Sequence, residues 1–151
     1  MAMTMNGEYQ LAVQRETVWE KLNDAATLKT CIPGCEQLDK LSDTEMQAVA
    51  VIKIGPVKAK FKGKVTLSDL DPPNGYKISG QGDGGVAGFA QGGATVKLEP
   101  KDGGTLLTYA VEAQIGGKLA QLGQRLVNGA AKKLADEFFK NFAAAVSPPS
   151  A

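Results

Sequence analysis

Hydrophobic and polar positions follow two periods along the chain. Residues 9–13 alternate and predict a short first strand. Val18, Trp19 and Leu22 then recur at helical spacing within residues 15–22, and a second short helical piece is expected over 24–29. It runs into Cys31-Ile32-Pro33-Gly34-Cys35, whose Pro-Gly pair marks a turn. From residue 36 the period becomes two. Strands are predicted over 36–41, 44–54, 57–67, 76–82, 88–99 and 105–115. In the clearest of them, Val57, Ala59, Phe61, Gly63, Val65 and Leu67 alternate with Lys58, Lys60, Lys62 and Lys64, the pattern of a half-buried antiparallel strand. Gly116-Gly117 ends the alternation. Residues 118–146 read as one long helix with a stripe of Leu119, Leu122, Leu126, Ala130, Leu134, Phe138 and Phe142. Gly123 and Gly129 weaken it, each by up to about 1 kcal/mol against alanine.

These elements compose one α+β domain over residues 1–146, followed by a Pro-rich tail at 147–151. A seven-stranded antiparallel sheet with one apolar face needs a cover, and the long helix is large enough to supply it. The expected architecture is a sheet wrapped around the C-terminal helix, with two short helices after the first strand. The enclosed space is either packed solid or a pocket. Inward positions mix large side chains (Phe61, Tyr76, Tyr109) with small ones (Ala48, Ala50, Ala59, Gly63, Gly80, Ala94, Ala113), and small groups on neighbouring strands leave volume.

Composition narrows the chemistry. The 151 residues include no histidine, which removes Ser-His-Asp and Cys-His nucleophile pairs, the HExxH zinc site and histidine general bases. Two cysteines cannot close a tetrahedral zinc site without carboxylate help, so no metal site is expected. The net charge is +1 and Arg15 and Arg125 are the only arginines, so nucleic acid is not an expected partner. The segment Gly82-Asp83-Gly84-Gly85-Val86-Ala87-Gly88 lacks the Gly-Lys-Ser/Thr ending of a phosphate loop. No apolar stretch approaches the roughly 18 residues of a membrane span. The N-terminus has neither the basic head nor the hydrophobic run of a signal peptide, and a cytoplasmic location is expected.

The order of elements resembles the helix-grip fold of the START and birch-pollen-allergen superfamily, also called SRPBCC. Individual segments are closer still. Cys31-Ile32-Pro33-Gly34-Cys35, Gly55-Pro56-Val57-Lys58-Ala59-Lys60-Phe61-Lys62-Gly63 and Gly82-Asp83-Gly84-Gly85-Val86-Ala87-Gly88-Phe89-Ala90 resemble the CoxG family of carbon monoxide dehydrogenase subunits. So do Gly116-Gly117-Lys118-Leu119-Ala120-Gln121-Leu122-Gly123 and Phe138-Phe139, and the resemblance spans roughly residues 4–143. It implies a non-catalytic accessory protein of a molybdenum-containing carbon monoxide dehydrogenase-type enzyme, acting in recruitment or electron-acceptor delivery. It also implies binding of an apolar quinone- or lipid-like molecule without a covalent cofactor, and peripheral contact with the inner face of the cell membrane. Many members carry a C-terminal extension that reaches the membrane, and Ser147-Pro148-Pro149-Ser150-Ala151 resembles the start of such a linker.

Successive loops of a meander alternate ends. Ile32-Pro33-Gly34, Gly55-Pro56, Gly84-Gly85-Val86 and Gly116-Gly117 therefore converge on one rim, which is either a gated mouth or a set of ordinary loops. Candidates for lining a ligand are Leu119, Leu122 and Leu126 from the helix, with Met46, Phe61, Tyr76, Phe89 and Tyr109 from the sheet or rim. Strict alternation from Ala94 turns Phe89 outward unless a bulge at Gly92-Gly93 restores it. Lys53, Lys58, Lys60, Lys62 and Lys64 have no acidic residue among them. They form either a solvated face that discourages edge pairing or a docking patch for an acidic partner or an anionic membrane. Cys31 and Cys35 allow a disulfide, a soft-metal clip or two thiols, and a reducing compartment favours thiols. Trp19 is expected as core packing. Two readings stand beside the carrier: a small SRPBCC enzyme of cyclase or hydrolase type using Tyr76, Tyr109 or a carboxylate, and a docking module with a solid core.

Overall fold

The lysine–apolar alternation becomes β4 (Val57–Asp71), the longest strand of a seven-stranded sheet in the computed structural model, which describes residues 1–146. The tail expected at 147–151 lies outside the described residues. Around β4 the chain meanders through β2 (Cys35–Lys40), β3 (Glu45–Ile54), β5 (Gly75–Asp83), β6 (Phe89–Lys101) and β7 (Gly104–Gly116). The strand β1 (Ala2–Leu11) closes the other edge, giving the antiparallel order β1-β7-β6-β5-β4-β3-β2. Short helices α1 (Arg15–Leu22) and α2 (Ala25–Cys31) follow β1. This is the helix-grip arrangement expected from the sequence.

Two expectations are corrected. The first strand runs over Ala2–Leu11 rather than 9–13, because β7 offers a partner to every residue from Ala2, opposite Gln114, to Leu11, opposite Thr105. Val13 lies beyond the strand, and its carbonyl accepts from the buried Thr105 hydroxyl at 2.8 Å. The C-terminal helix is not continuous either. It divides into α3 (Lys118–Gln121) and α4 (Gln124–Val146) at Gly123, whose φ of +91° is left-handed and ends a helix at little cost only for glycine. The break takes Leu126 out of the expected stripe, while Phe142 stays in it. Val127, Phe139, Phe142 and Val146 are buried along α4, while Leu126 is exposed.

The core falls into two clusters on the inner face. The larger gathers Leu11, Val18, Leu28, Met46, Leu67, Leu98, Leu107 and Phe142 at the end where α1, α2 and the C-terminal half of α4 meet the sheet. There Asn141 Nδ2 donates to the Cys31 carbonyl at 3.0 Å, tying α4 to the end of α2. The smaller cluster, Met3, Ile115, Leu119 and Val127 with Phe61 and Leu122 against it, sits at the glycine-rich rim. The helix is thus anchored at both ends, and what lies between the anchors decides whether the grip is solid.

Candidate functional site

Between the two clusters the inner face carries mostly small residues. One transverse row reads Ala48, Gly63, Gly82, Ala90 and the next Val65, Gly80, Gly92. A Cβ built at Gly82 meets nothing within 4 Å. At Gly63 it meets only Gln81 O at 3.3 Å and Gly82 Cα at 3.9 Å. At Gly80 it meets only Lys64 O and Val65 Cγ2. Neither α3 nor α4 reaches these three positions. Because α4 packs chiefly against α2 and β1, it stands off the middle strands. Close-packed interiors leave few such gaps, and a side chain added at Gly82 would enter open space.

The rim is built by close backbone approach. The turn Gly85–Ala87 between β5 and β6 packs against α3 and β4, and Gly84 lies on the Phe61 ring. Gly84 N–H donates to the Gly88 carbonyl at 2.8 Å and closes the loop on itself. A Cβ on Gly88 would stand 2.1 Å from Gly116 O, and one on Gly117 2.5 Å from Gly88 Cα, so the β5–β6 loop and the start of α3 touch only because both are glycine there.

The structure distributes the candidate lining residues over four environments. Phe61, Leu119 and Leu122 belong to the rim cluster beside the glycine strip. Met46 and Tyr76 are buried in the larger cluster, where the Tyr76 ring meets Trp19 edge-on with centroids 5.2 Å apart. Burial alone pushes the Tyr76 phenol well above the ordinary tyrosine range. Tyr109 stacks on Phe139 at the β1 side. Phe89 points outward, 47% exposed, with its ring over Gly116, and Leu126 is 41% exposed near Gly55. Among the gate candidates, Gly55, Gly85, Val86 and Gly117 are exposed and Ile32, Pro33, Gly84 and Gly116 half-buried, while Pro56 sits in the turn between β3 and β4. Cys31 is buried, which raises its thiol, and both it and Cys35 are free thiols.

Sequence reading missed a polar cluster where β1 faces α4. The Tyr9 hydroxyl donates to Asp136 Oδ1, and Lys132 Nζ donates to Oδ2 at 2.9 Å. Burial, the hydrogen bond to Asp136 and its charge raise the Tyr9 phenol to about 12. The fold therefore favours the neutral phenol over the unfolded value of 10.0. Its contribution to stability is intact below pH 10 and is lost as pH rises toward 12. Alkaline unfolding curves of the parent should fall more steeply in that window than those of Tyr9→Phe; parallel curves would refute the coupling.

The lysines lie on the opposite, outer face. Two of them find acids that the strand itself does not contain: Lys60 pairs with Glu36 at 3.3 Å and Lys64 with Glu45 at 3.4 Å. Lys62 and Lys64 border a groove of about 830 Å³, which also holds Gln81, Gln91, Val86 and Phe89. Its lining mixes the amide and charged side chains of Gln81, Gln91, Lys62 and Lys64 with apolar surface at Val49, Val86 and Phe89. If the face docks, Lys53→Gln, Lys58→Gln and Lys62→Gln together should weaken binding to anionic vesicles or the partner at low salt. The difference should close as salt rises. Unchanged low-salt binding would leave only a solvated face.

Among the described residues no group of three or more Cys, Asp or Glu could hold a metal ion, and no helix is long and apolar enough to cross a membrane. No curated protein matches the chain in sequence. Solved structures do. A conserved protein from Geobacillus kaustophilus is 36% identical with a TM-score of 0.89, covering 95% of each chain. Ara h 8.0201 shares the fold at 16% identity, with a TM-score of 0.68 and coverage of 97% of this chain and 98% of its own. The Zhui aromatase/cyclase from Streptomyces sp. R1128 does so at 10% identity, with a TM-score of 0.70 and coverage of 97% and 94%. The profile of one family matches residues 7–147, nearly the whole chain. With the glycine rim, the Phe138-Phe139 pair and the helix-grip fold in place, the chain belongs to the CoxG family of carbon monoxide dehydrogenase subunits.

Proposed function

We propose that this protein is a non-catalytic accessory of a molybdenum-containing carbon monoxide dehydrogenase-type enzyme, and that it carries an apolar quinone- or lipid-like molecule for it. The observation that carries the reading is the glycine strip at Gly63, Gly80 and Gly82, where no helix atom comes within 4 Å of a built Cβ. An apolar ligand entering that strip leaves water at roughly 25 cal/mol per Å² of buried apolar surface, which needs no catalytic group. The loop at Gly84, Gly85 and Val86 is the gate. It rests on Phe61 and α3 through glycine contacts, and few side chains hold it shut.

Family membership supports the partner class, and the outer lysine face supplies a surface for docking to the enzyme or to the inner face of the membrane. The test is a native mass spectrum of the purified full chain, with solvent extraction of whatever it retains. A bound apolar molecule, or uptake of added menaquinone by the emptied protein, is the expected result. A chain that is empty as purified and takes up neither quinone nor lipid would leave a docking module with no cargo.

A further inference from the structure

The two edges of the sheet are finished differently. At β2 the edge is short, carries Glu36, Asp39 and Lys40, and is broken by a register shift between Cys35 and Gln37. Short length, charges and bulges are the usual devices that keep an edge from pairing with another chain. β1 has neither bulge nor proline. Its ten residues keep one register along β7, and Glu8 is its single charged side chain.

The ladder fixes which backbone groups that edge presents. Met1 N donates to the Ile115 carbonyl at 2.9 Å, and Ile115 N–H donates to the Met1 carbonyl at 2.8 Å. Such doubly bonded pairs recur at every second residue of an antiparallel ladder, so the odd residues of β1 bond β7 and the even ones turn N–H and C=O away from it. The Ala2 carbonyl is taken by Gln124 Nε2 at 3.1 Å. Those groups of Thr4, Asn6 and Glu8 have no partner among the described residues, and all three residues are exposed. A space of about 400 Å³ is lined by all seven residues from Met3 to Tyr9 and, across it, by Asn128, Lys132 and Asp136 of α4. Side chains alternate between faces, so a space that touches every residue of a strand segment runs along its edge. α4 therefore leaves this edge open.

We propose that the β1 edge pairs with the β1 edge of a second copy of this chain, antiparallel and centred on Asn6, joining two sheets into one. In this register Asn6 faces Asn6 of the second copy, and Thr4 faces its Glu8, so the three free residues bond across a two-fold axis. On the inner face Met5 meets Gly7 of the second copy, a long side chain against a missing one, and Met3 meets the ring of its Tyr9. Centred on Thr4, the pairing would need the Ala2 carbonyl that Gln124 holds. Centred on Glu8, it would set two carboxylates directly opposite each other. Backbone bonding and charge thus select the register centred on Asn6. This interface does not rest on the carrier reading.

The test is the oligomeric state of the full chain, read by sedimentation velocity over a concentration series and by native mass spectrometry. The parent should show a concentration-dependent monomer–dimer equilibrium. Asn6→Pro removes an N–H that β7 does not use, so the monomer keeps its fold, and dimerisation should weaken more than about tenfold for the two bonds lost. Asn6 stands opposite Ala110 on β7, so a charge placed there faces no charge directly across its own ladder. Asn6→Lys and Asn6→Asp should each dimerise about threefold more weakly, from like charges meeting at the axis. Mixed in equal amounts, the two should form a heterodimer, identified by its mass, in preference to either homodimer. A parent that stays monomeric at the highest concentration overturns the proposal and leaves the edge to an extended segment of another protein. A parent dimer that none of the three substitutions weakens overturns it too, since its interface lies elsewhere. A dimer lost only in Asn6→Pro, with no preference in the mixture, overturns the register.

Discussion

Gly82→Leu should abolish binding of a quinone probe and change the free energy of unfolding by less than about 1 kcal/mol. Position 82 faces inward, opposite Gly63 on β4 and Ala90 on β6. Its built Cβ has no neighbour within 4 Å, and its φ is outside the left-handed range, so a side chain fits the backbone. In a packed core the extra methylenes would force neighbours off their rotamers at about 1–3 kcal/mol. In open space the leucine takes the ligand's place, and removing glycine from a strand interior recovers about 0.5–1 kcal/mol. The two outcomes are opposite in both readouts. Denaturant unfolding and probe titration on the same variant decide between them. A loss above about 2 kcal/mol, beyond what open space allows, or undiminished probe binding, would mean that the strip at Gly82 is not the cargo space.

The opposite end of the grip should respond in the opposite way. Phe142 is fully buried, belongs to the larger cluster and stacks on Phe138 with centroids 5.8 Å apart. Phe142→Ala should cost about 3–5 kcal/mol, from lost transfer energy plus the cavity left behind. Against a usual domain stability of about 5–15 kcal/mol that is a large share. The denaturant midpoint should drop with its slope unchanged, since the unfolded surface is nearly the same. While the variant remains folded it should still bind the probe, because the rim cluster and the middle strip do not depend on Phe142. A cost below about 1 kcal/mol, far under that of a buried aromatic, would show that the larger cluster is not what anchors α4.

Much of this could be read from the chain alone. The alternation of Val57, Ala59, Phe61, Gly63, Val65 and Leu67 with lysines appears directly in β4, and the small residues Ala48, Gly63, Gly80 and Ala94 share its inner face. Strict alternation also turned Phe89 outward, where the structure places it. The helix was harder. Gly123 read as a weak point inside one helix, but a propensity scale assigns it a cost and no direction; its left-handed φ separates α3 from α4, which begins at Gln124. Leu126 therefore falls outside the buried stripe, whereas Phe142 at its far end stays in it.

Local periodicity determined the strand meander, the two short helices, the glycine-rich rim and the apolar, histidine-free character of the interior, because each depends on neighbours a few residues away. Tertiary structure alone decided which contacts join distant segments. The Tyr9–Asp136 bond spans 127 residues, the pairing of Lys60 with Glu36 brings an acid from β2 beside β4, and Gly7 matters only because Tyr109 crosses it from β7. No period in the chain encodes such pairs. The first follows from how α4 packs on β1, and the other two from strand order and register within the sheet.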